Sequence, residues 1–525
     1  MFRDMTTVEV DLCVAIIQEY FGHDAALVGK ILLTNMLTFH GLIMDLKSKL
    51  SVKQIRRIMA IFEHHNILIY TASERGVRYT IPIENVLRIL RIPRSMVIVK
   101  LMYGKVAEAI FEEIFSQGKI SCSDCIRHVV ERLQCEINEA KAKFVRLTES
   151  QLLIKCPEIE NAEYDCPVFA PLVDPFMMPS QILDGSDEIV PMEENLRKRK
   201  ATIYKPDSDA NTLWSINWPR VERFLRDELI VGLISQNELL DETSVNLARA
   251  VLKVGEIKAD LIASQSNPIA VQEVSKYARE HEIKLSRDEI EQKLSILGKE
   301  SSGIIHYDLA FDCICRQNIE SAIREKLDDR SVRIFRLLCT KGYLEEEQME
   351  KLAMLSSKEV KEICYVLLDH NFITIRPIHR TNDFNPVRCL YLYSVQLQQV
   401  AKSLVCLSSK ALRNVIIRRQ AEAKHNETLT DRQLKMESVI SNIKKDTNMD
   451  EETKNTQIAD VKEMYLTESD IVKLDKLKRA QTALHKAALE LEQSLFIFQQ
   501  YLLFKKSSTL QIADKKKSRK KTEIV

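Results

Sequence analysis

Residues 51–71 read SVKQIRRIMAIFEHHNILIYT, and residues 356–376 read SSKEVKEICYVLLDHNFITIR. The two stretches align without a gap, and five offsets carry the same residue in both. The identical pairs are Ser51/Ser356, Lys53/Lys358, Ile58/Ile363, His65/His370 and Asn66/Asn371. Further offsets keep an apolar residue in both copies. Such a match between distant segments predicts one structural module that occurs at least twice.

The sequence around the first copy gives the plan of that module. Apolar residues at spacings of three and four predict helices over residues 7–20 and 24–38. A third helix starts at Ser51, since serine favours the N-cap position. Two apolar segments, 67–70 and 77–81, flank a polar turn, which predicts a hairpin. Three helices followed by a two-stranded wing describe a winged-helix fold.

The same order of elements recurs elsewhere in the chain. The second copy is flanked by matching helix and strand segments at 331–339, 345–353 and 389–394. A weaker copy has helices at 104–117, 123–133 and 136–148 and a strand at 152–154. A longer helical version has helices at 218–240, 244–261, 269–280 and 288–297 and a strand candidate at 303–307. We therefore count four modules, of which the third matches the plan least well.

The C-terminal quarter follows a different periodicity. Its apolar positions step alternately by four and three residues, which is a heptad seam with one polar member. The seam consists of Leu477, Gln481, Leu484, Ala488, Leu491, Leu495, Phe498 and Leu502. An earlier seam consists of Leu397, Val400, Leu404, Leu407 and Ala411. Residues 421–460 between the seams are polar and charged, so we predict two antiparallel helices joined by a flexible stretch.

These patterns predict a mainly α fold with small β wings: four tandem winged-helix modules followed by a C-terminal antiparallel coiled coil. The predicted boundaries are 1–83, 84–156, 211–328 and 329–395 for the modules and 396–507 for the coiled-coil hairpin. Residues 157–210 form a linker, since 157–194 hold ten acidic side chains, six prolines and no Lys or Arg. Residues 508–525 form a basic tail that we expect to be disordered.

Composition limits the function classes. The chain has 525 residues, too many for a single hydrophobic core. Its 76 Lys and Arg residues balance 75 Asp and Glu residues, so any contact with nucleic acid should be local. The 12 cysteines follow no disulfide framework, and no apolar run is long enough for a membrane helix. These features predict a reducing compartment, the cytosol or the nucleus.

A catalytic site is not evident in the sequence. It contains no glycine-rich phosphate loop, nucleophile elbow or zinc-protease motif, so we predict a non-enzymatic protein without a cofactor. The best metal candidate is Cys122, Cys125 and His128 with Cys135. A lone C-x-x-C on a helix more often holds buried thiols that pack as small apolar groups, so we assign no metal site.

Candidate nucleic-acid contacts lie on the third helix of the first module. Lys53, Arg56 and Arg57 fall on its outer side, where side chains of a DNA-bound winged helix reach phosphates. The matching helix of the fourth module carries a mixed set, Lys358, Glu359, Lys361 and Glu362. We interpret each of the two His-Asn pairs as the end of a helix, because Asn tolerates the left-handed conformation. The alternative is that His65 and His370 contact phosphates.

A strongly basic cluster lies in the tail and consists of Lys515, Lys516, Lys517, Arg519, Lys520 and Lys521. Such clusters direct nuclear import or attract phosphate groups. A solubilising terminus is the alternative. We predict import and therefore a nuclear location.

Taken in order, these motifs resemble the tandem winged-helix subunit of eukaryotic RNA polymerase III, the RPC3 family, which is similar to the alpha subunit of general transcription factor IIE. The resemblance is carried by HHNILIYTASERGVRYTI, by the following NVLRILRIPR, by VLLDHNFITIRPI in the fourth module and by the terminal coiled coil. It covers almost the full length. Each motif is a packing motif, so their order and number carry the likeness.

The resemblance implies a non-catalytic subunit that sits on the polymerase clamp in a subcomplex with two partner subunits. It also implies contact with an initiation factor, local contact with promoter DNA, and roles in promoter recognition and DNA opening. The alternatives are a winged-helix scaffold of another large nuclear or cytosolic assembly and a DNA-binding transcription regulator. The family offers no catalytic residue to carry over.

Overall fold

The computed structural model describes residues 6–73, 76–157, 159–161, 168–169, 174–178, 209, 212–236, 241–257, 263–280, 287–297, 304–379, 389–445 and 451–522. Within these ranges the chain is mainly helical and carries small antiparallel sheets, as predicted. Most of the predicted acidic linker lies outside them. None of the helices in the described ranges combines the length and the apolar character needed to cross a membrane.

The first unit contains four helices and a three-stranded sheet. Its elements are α1 (Thr7–Phe21), α2 (His23–Thr34), β1 (Leu37–Thr38), α3 (Phe39–Leu46), α4 (Val52–His64), β2 (Ile69–Ser73) and β3 (Gly76–Thr80). The strands are antiparallel in the order β1-β3-β2. The helix-turn-helix core is formed by α2, α3 and α4, and α1 is an additional helix that packs against α2.

The predicted second helix over residues 24–38 is wrong at its C-terminal end. That helix ends at Thr34, because Leu37 and Thr38 take an extended conformation and pair with β3. Thr38 is the N-cap of α3, a helix that was not predicted. The Oγ1 of Thr38 accepts a hydrogen bond from the backbone N–H of Gly41 at 3.3 Å.

The start of α4 confirms the prediction made from the repeated sequence. Ser51 is the N-cap, and its hydroxyl accepts a hydrogen bond from the backbone N–H of Gln54 at 3.3 Å. The Gln54 side chain in turn accepts one from the backbone N–H of Ser51 at 3.0 Å, which completes a capping box. The helix buries Ile55, Ile58 and Phe62 against the core and leaves its opposite face in solvent.

The next helix, α5 (Ile83–Tyr103), leads into a second unit with the same order of elements. Its elements are α6 (Lys105–Gln117), β4 (Ile120–Ser121), α7 (Cys122–Leu133), α8 (Ile137–Glu149) and β5 (Leu153–Lys155). A separate pair of strands, β6 (Ile159–Asn161) and β7 (Val168–Phe169), follows. The third strand of the second unit is β8 (Leu213–Ile216), and the sheet order is β4-β8-β5.

The position of β8 differs from the predicted division of the chain. The sequence patterns place residues from 211 onward in the third module, whereas β8 pairs with β4 and β5 of the second unit. Its Trp214 is fully buried there and meets the ring of Phe144 edge-on, with the ring centroids 5.7 Å apart. Asp209, just before the strand, accepts a hydrogen bond from the backbone N–H of Ser123 at 2.9 Å.

The third unit is built from helices. They are α9 (Trp218–Ser235), α10 (Glu242–Ile257), α11 (Val271–Glu280), α12 (Arg287–Leu297) and α13 (Tyr307–Lys326). Over its described residues the unit has a single β-bridge, between Gln265 and His306, in place of the strand expected at 303–307. Tyr307 begins α13, a helix that the sequence analysis missed.

The fourth unit repeats the plan of the first two. Its elements are α14 (Asp329–Lys341), β9 (Tyr343–Leu344), α15 (Glu346–Ala353), α16 (Ser357–Asp369), β10 (Thr374–His379) and β11 (Cys389–Ser394). The sheet order is β9-β11-β10, so the first, second and fourth units share one topology. Ser356 caps α16 with Glu359 in a capping box, as Ser51 and Gln54 do for α4.

The same turn ends the last helix before the wing in the first, second and fourth units, namely α4, α8 and α16. Its left-handed residue is Asn66 (φ 54°), Gln151 (φ 62°) or Asn371 (φ 60°). In each case the following N–H donates to the carbonyl five residues before it, which is the Schellman pattern. The three bonds are Ile67 to Phe62 at 2.9 Å, Leu152 to Leu147 at 3.1 Å and Phe372 to Leu367 at 2.9 Å. The helix-ending interpretation of the two His-Asn pairs is confirmed.

The C-terminal region is helical throughout its described residues. Its helices are α17 (Leu397–His425), α18 (Glu427–Lys445), α19 (Glu451–Tyr465) and α20 (Glu468–Thr522). α17 and α20 pack along each other. Within the stretch 421–460 that we expected to be flexible, the described residues are mostly helical and belong to the end of α17, to α18 and to α19, and α18 and α19 share a small apolar cluster. α20 also continues to Thr522, into the tail that we expected to be disordered.

The heptad positions on α20 are buried or half-buried, whereas those on α17 are only partly so. Leu407 is 45% exposed, because the buried side of α17 instead runs through Ala401, Val405 and Leu412. The segment 492–504 of α20 is buried on nearly all sides, as expected for a helix enclosed by other elements.

Candidate nucleic-acid interface

The outer face of α4 carries the three cations that the sequence analysis singled out. Lys53, Arg56 and Arg57 are exposed, and no described carboxylate forms an ion pair with any of them. Lys47 and Lys49, in the turn before α4, are exposed as well. These two lysines are not among the predicted contacts, although their place in the turn between the second and third helices of a winged helix was a usable signal.

The equivalent face of α16 has a different character. Lys361 forms an ion pair with Glu346 at 3.2 Å, and Glu359 forms one with Arg330 at 2.7 Å, so neighbouring charges neutralise each other. Tyr365 is 63% exposed on this face. The unpaired positive charge on α4 is therefore not repeated on the equivalent helix of the fourth unit.

The C-terminal end of α4 is fixed by the second unit. Lys119 forms an ion pair with Glu63 at 2.5 Å. Gly118 has φ +83°, and a Cβ on it would lie 2.7 Å from the carbonyl oxygen of His64. The ring of His65 packs edge-on against Phe21 with centroids 5.2 Å apart. Burial, together with the neighbouring His64, lowers the pKa of His65, so this imidazole is a neutral packing group at pH 7.

Arginines from the NVLRILRIPR segment join α5 to α9 and α20. Arg91 is 5% exposed, and its guanidinium lies 2.7 Å from Glu222 and 3.4 Å from Glu492. Arg91 also donates to the side-chain oxygen of Gln499 at 3.0 Å. Arg94 reaches Glu492 at 3.3 Å. Burial raises the pKa of Glu492 and the two arginines oppose that rise, so these side chains form a structural network.

A second buried charge cluster lies between α9, α10 and α13. The guanidinium of Arg226 stacks on Tyr307 at 4.1 Å and pairs with Asp227 at 2.9 Å. The ammonium of Lys253 lies 3.3 Å from the ring centroid of Phe224 and 3.8 Å from Glu256. Burial lowers the pKa of Lys253 to about 8, although Glu256 opposes this change.

Lys253 gives a testable pH dependence. The folded chain releases its proton near pH 8, whereas the unfolded chain holds it to about 10.5. Between these values the unfolded state binds more protons, so stability should rise with pH relative to Lys253→Met. Thermal unfolding of both proteins from pH 7.5 to 9.5 measures the difference. This range stays below the titration of Tyr307, whose pKa burial raises to about 12. A flat difference contradicts the prediction.

The cysteine candidates for a metal site are packed into the second core. Cys122 and Cys125 are fully buried, and burial raises the pKa of both thiols. His128 instead points its Nδ1 to Glu113 at 2.9 Å. Across the described residues no three potential ligands meet at one point. These thiols serve the core as small apolar groups.

The cations of the tail lie at the end of the chain's last helix. Lys515, Lys516, Lys517, Arg519, Lys520 and Lys521 all fall within α20.

Comparison with known proteins follows the same outline as the structure. The family model for the RNA polymerase III subunit RPC82 helix-turn-helix domain matches residues 11–73, and that for the POLR3C C-terminal winged-helix domain matches residues 319–395. The mouse and human proteins named DNA-directed RNA polymerase III subunit RPC3 are each 28% identical to the chain, and each alignment covers 95% of it and 99% of the relative.

A more distant relative, subunit rpc3 of Dictyostelium discoideum, is 31% identical over 109 residues, which is 21% of the chain and 16% of that protein. The two domain matches fall on the two units that carry the repeated sequence, and the mammalian alignments run from end to end. RPC3 is a non-catalytic subunit, since the catalytic activity of the polymerase is in other subunits. The two domain matches and the alignments over 95% of the chain together support the RPC3 family of RNA polymerase III subunits.

Proposed function

We propose that this chain docks on the RNA polymerase III core in the nucleus and, with two partner subunits and an initiation factor, supports promoter recognition, initiation and DNA opening. The unpaired cationic face of α4, which the equivalent helix of the fourth unit lacks, carries this proposal. It supplies a local contact for DNA on a chain whose total charge is nearly zero.

The proposed architecture is four tandem winged-helix modules followed by an antiparallel coiled coil. The shared sheet order of the first, second and fourth units supports three of the modules. The third module is proposed from its place in the series and from its helices α9 to α13. The α17–α20 pair supports the coiled coil, with Arg419 of α17 meeting His485 of α20 at 3.0 Å.

Lys53, Arg56 and Arg57 are proposed to contact phosphates. Phosphate contacts position a protein on DNA without reading sequence, which fits a subunit that acts at many promoters. Opening would follow from binding energy that favours a bent or melted template. The docked units would hold the DNA while polymerase and partners supply the remaining contacts.

Replacing Lys53, Arg56 and Arg57 together by alanine should weaken binding to duplex DNA at low salt. Each phosphate contact contributes about 0.9 to the slope of log K against log salt, so the slope should become shallower by about 3. Fluorescence anisotropy with one labelled duplex at several salt concentrations measures both effects. The matched control is Lys358→Ala with Lys361→Ala on α16, which should leave the slope unchanged. An unchanged slope in the triple variant refutes the phosphate contacts.

The assembly role has its own test. Affinity purification of the chain from nuclei, followed by mass spectrometry, should recover the polymerase core subunits at stoichiometric yield.

A chain with alanine at Lys515, Lys516, Lys517, Arg519, Lys520 and Lys521 should remain outside the nucleus if this cluster directs import. Recovery of a different large assembly would overturn the proposed function.

A further inference from the structure

The buried charge cluster between α9, α10 and α13 holds more positive than negative charge. Arg226 is balanced, because it pairs with Asp227 at 2.9 Å. The carboxylate of Glu256 is shared instead. Arg220 and Lys253 both form ion pairs with it, so one negative group serves two cations.

A third cation, Arg223, adds to this excess. Its guanidinium donates to the backbone carbonyl of Glu256 at 3.2 Å, a group that carries no net charge. Burial and the nearby Arg226 lower the pKa of Arg223, and Glu256 opposes them. Glu228 belongs to the same region but is exposed and pairs with Arg249 at 3.2 Å. Around Glu256 the described residues therefore place three cations against one carboxylate.

Lys253 is the cation of this cluster whose charge a covalent reaction can reverse. Its side chain is 22% exposed, so a small molecule can reach it from solvent. Its ammonium lies 3.8 Å from Glu256, which is longer than a charge-assisted hydrogen bond. Burial lowers the pKa of Lys253 to about 8 against the opposing effect of Glu256, so neutral amine is present under mildly alkaline conditions. The neutral amine is the form that acts as a nucleophile.

A partner for a negatively charged product is already in place. The guanidinium of Arg220 lies over the ring of Phe224, 5.1 Å from its centroid, and the ammonium of Lys253 lies 3.3 Å from the same centroid. The two cations also contact the same carboxylate, that of Glu256. A guanidinium binds a planar, carboxylate-like anion through two parallel N–H bonds, which an ammonium cannot offer.

We propose that Lys253 is a site of carbamate formation by carbon dioxide. The lone pair of the neutral amine attacks the carbon of CO₂, an N–C bond forms, and the electrons of one C–O π bond pass to oxygen. The surplus proton leaves the nitrogen for solvent. The product carries one negative charge where the ammonium carried one positive charge, and this difference equals the positive excess around Glu256. Carbon dioxide is small and uncharged, so it suits a partly buried side chain better than a large acyl donor does.

The test uses the full chain, incubated at pH 8 with ¹³C-labelled bicarbonate as the source of dissolved CO₂. Triethyloxonium then ethylates the carbamate, and peptide mapping by mass spectrometry locates the label. At this pH about half of the Lys253 side chains are neutral amine. A fully solvated lysine, with a pKa of about 10.4, is neutral in only roughly one molecule in 250. We expect at least about ten-fold more label on Lys253 than on Lys486, whose side chain is 79% exposed.

Lys119 is the matched control within the same chain. Its side chain is 15% exposed and therefore no more accessible than Lys253, but it pairs with the carboxylate of Glu63 at 2.5 Å. Lys119 should carry no more label than Lys486. Equal label on Lys119 and Lys253 would show that partial burial alone governs the reaction, which overturns the proposed site.

Thermal unfolding supplies a second readout. A carbamate that forms only in the folded chain should raise its first thermal transition, as any ligand of the folded state does. Bicarbonate at constant pH and ionic strength should therefore stabilise the wild-type chain and leave Lys253→Met unchanged. Equal shifts in the two proteins contradict the proposal, because bicarbonate then acts elsewhere.

The role of Arg220 is tested by Arg220→Gln, which leaves Glu256 to Lys253 alone and removes the guanidinium partner of the carbamate. The label on Lys253 should fall at least several-fold in variant protein that still shows the first thermal transition. Full labelling of such protein contradicts the role of Arg220. The wild-type measurement needs no variant: label on Lys253 no greater than on Lys486 overturns the proposal by itself.

Discussion

Replacing Arg91 by methionine should destabilise the folded chain by about 3 kcal/mol. The substitution removes the cation that lies between Glu222 and Glu492 and leaves the nearly fully buried carboxylate of Glu492 with Arg94 alone. Removing one partner from a buried ion pair typically costs about 3–5 kcal/mol, and the remaining arginine places the expected loss at the low end. Hydrogen exchange in α5 and α20, together with the first thermal transition, measures this loss.

The double variant Arg91→Met with Glu492→Met is the control. It removes both buried charges and should recover much of the stability, because apolar side chains of similar volume can replace a buried ion pair. The single variant has a further signature. Without Arg91 the pKa of Glu492 rises further, so the folded state keeps that proton to higher pH than the unfolded state. The loss should therefore be smaller near pH 4.5 than at pH 7, and an equal loss at both pH values contradicts the buried-charge explanation.

Replacing Gly118 by alanine should destabilise the contact between the first and second units by at least about 2 kcal/mol. Gly118 has φ +83°, a conformation that costs residues with a side chain about 1–3 kcal/mol. The added Cβ would also lie 2.7 Å from the carbonyl oxygen of His64, which belongs to backbone and cannot move by rotation of a side chain. Thermal unfolding and limited proteolysis between residues 64 and 120 measure the effect.

Gly342→Ala is the matched control for that substitution. Gly342 ends α14 of the fourth unit at φ +85° and ψ −76°, close to the φ +83° and ψ −66° of Gly118, and a Cβ there would meet nothing within 4 Å. Both variants therefore carry the same backbone strain, and the excess loss in Gly118→Ala reports the contact with His64. Equal losses would falsify a role for Gly118 in joining the two units.

The parts of the fold that could be predicted depend on signals close together in the sequence. Ser51 and Ser356 mark helix starts through bonds three residues away, and Asn66 and Asn371 mark helix ends in the same local way. The hairpin of the first unit likewise closes over a short turn. Such contacts can be read from a single segment of sequence, which is why α4, α16 and their turns were predicted.

The missed features depend on contacts between distant segments. β8 lies more than fifty residues beyond β5, and no local pattern shows that Trp214 completes the second core. Arg91 lies in a segment whose pattern is that of an amphipathic helix. Its side chain is nevertheless buried, because it binds Glu492 and Gln499 of α20. α3 has only two buried apolar residues, too few for a periodic signal.

The candidate functional residues also differ in whether the sequence could predict them. The exposure of Lys53, Arg56 and Arg57 follows from the spacing of the apolar residues on α4, so the sequence was sufficient to locate them. The cavity between the first unit, α5 and the second unit is lined by residues of several elements. Only the folded chain brings two of them, Phe21 and Trp218, together. Its existence could not be predicted from any one segment.

The burial of α20 between the cores imposes an order of events on synthesis. Arg91 and Gln499 are 408 residues apart, so ribosomes working at about 5–20 residues per second need roughly 20 to 80 s between making one and the other. During that interval the side of α5 that later packs against α20 is exposed to solvent, and Arg91 lacks its ion pair with Glu492. We therefore expect nascent chains to expose this side of α5 until α20 is made, and chains that end before Glu492 to be less stable than the full chain.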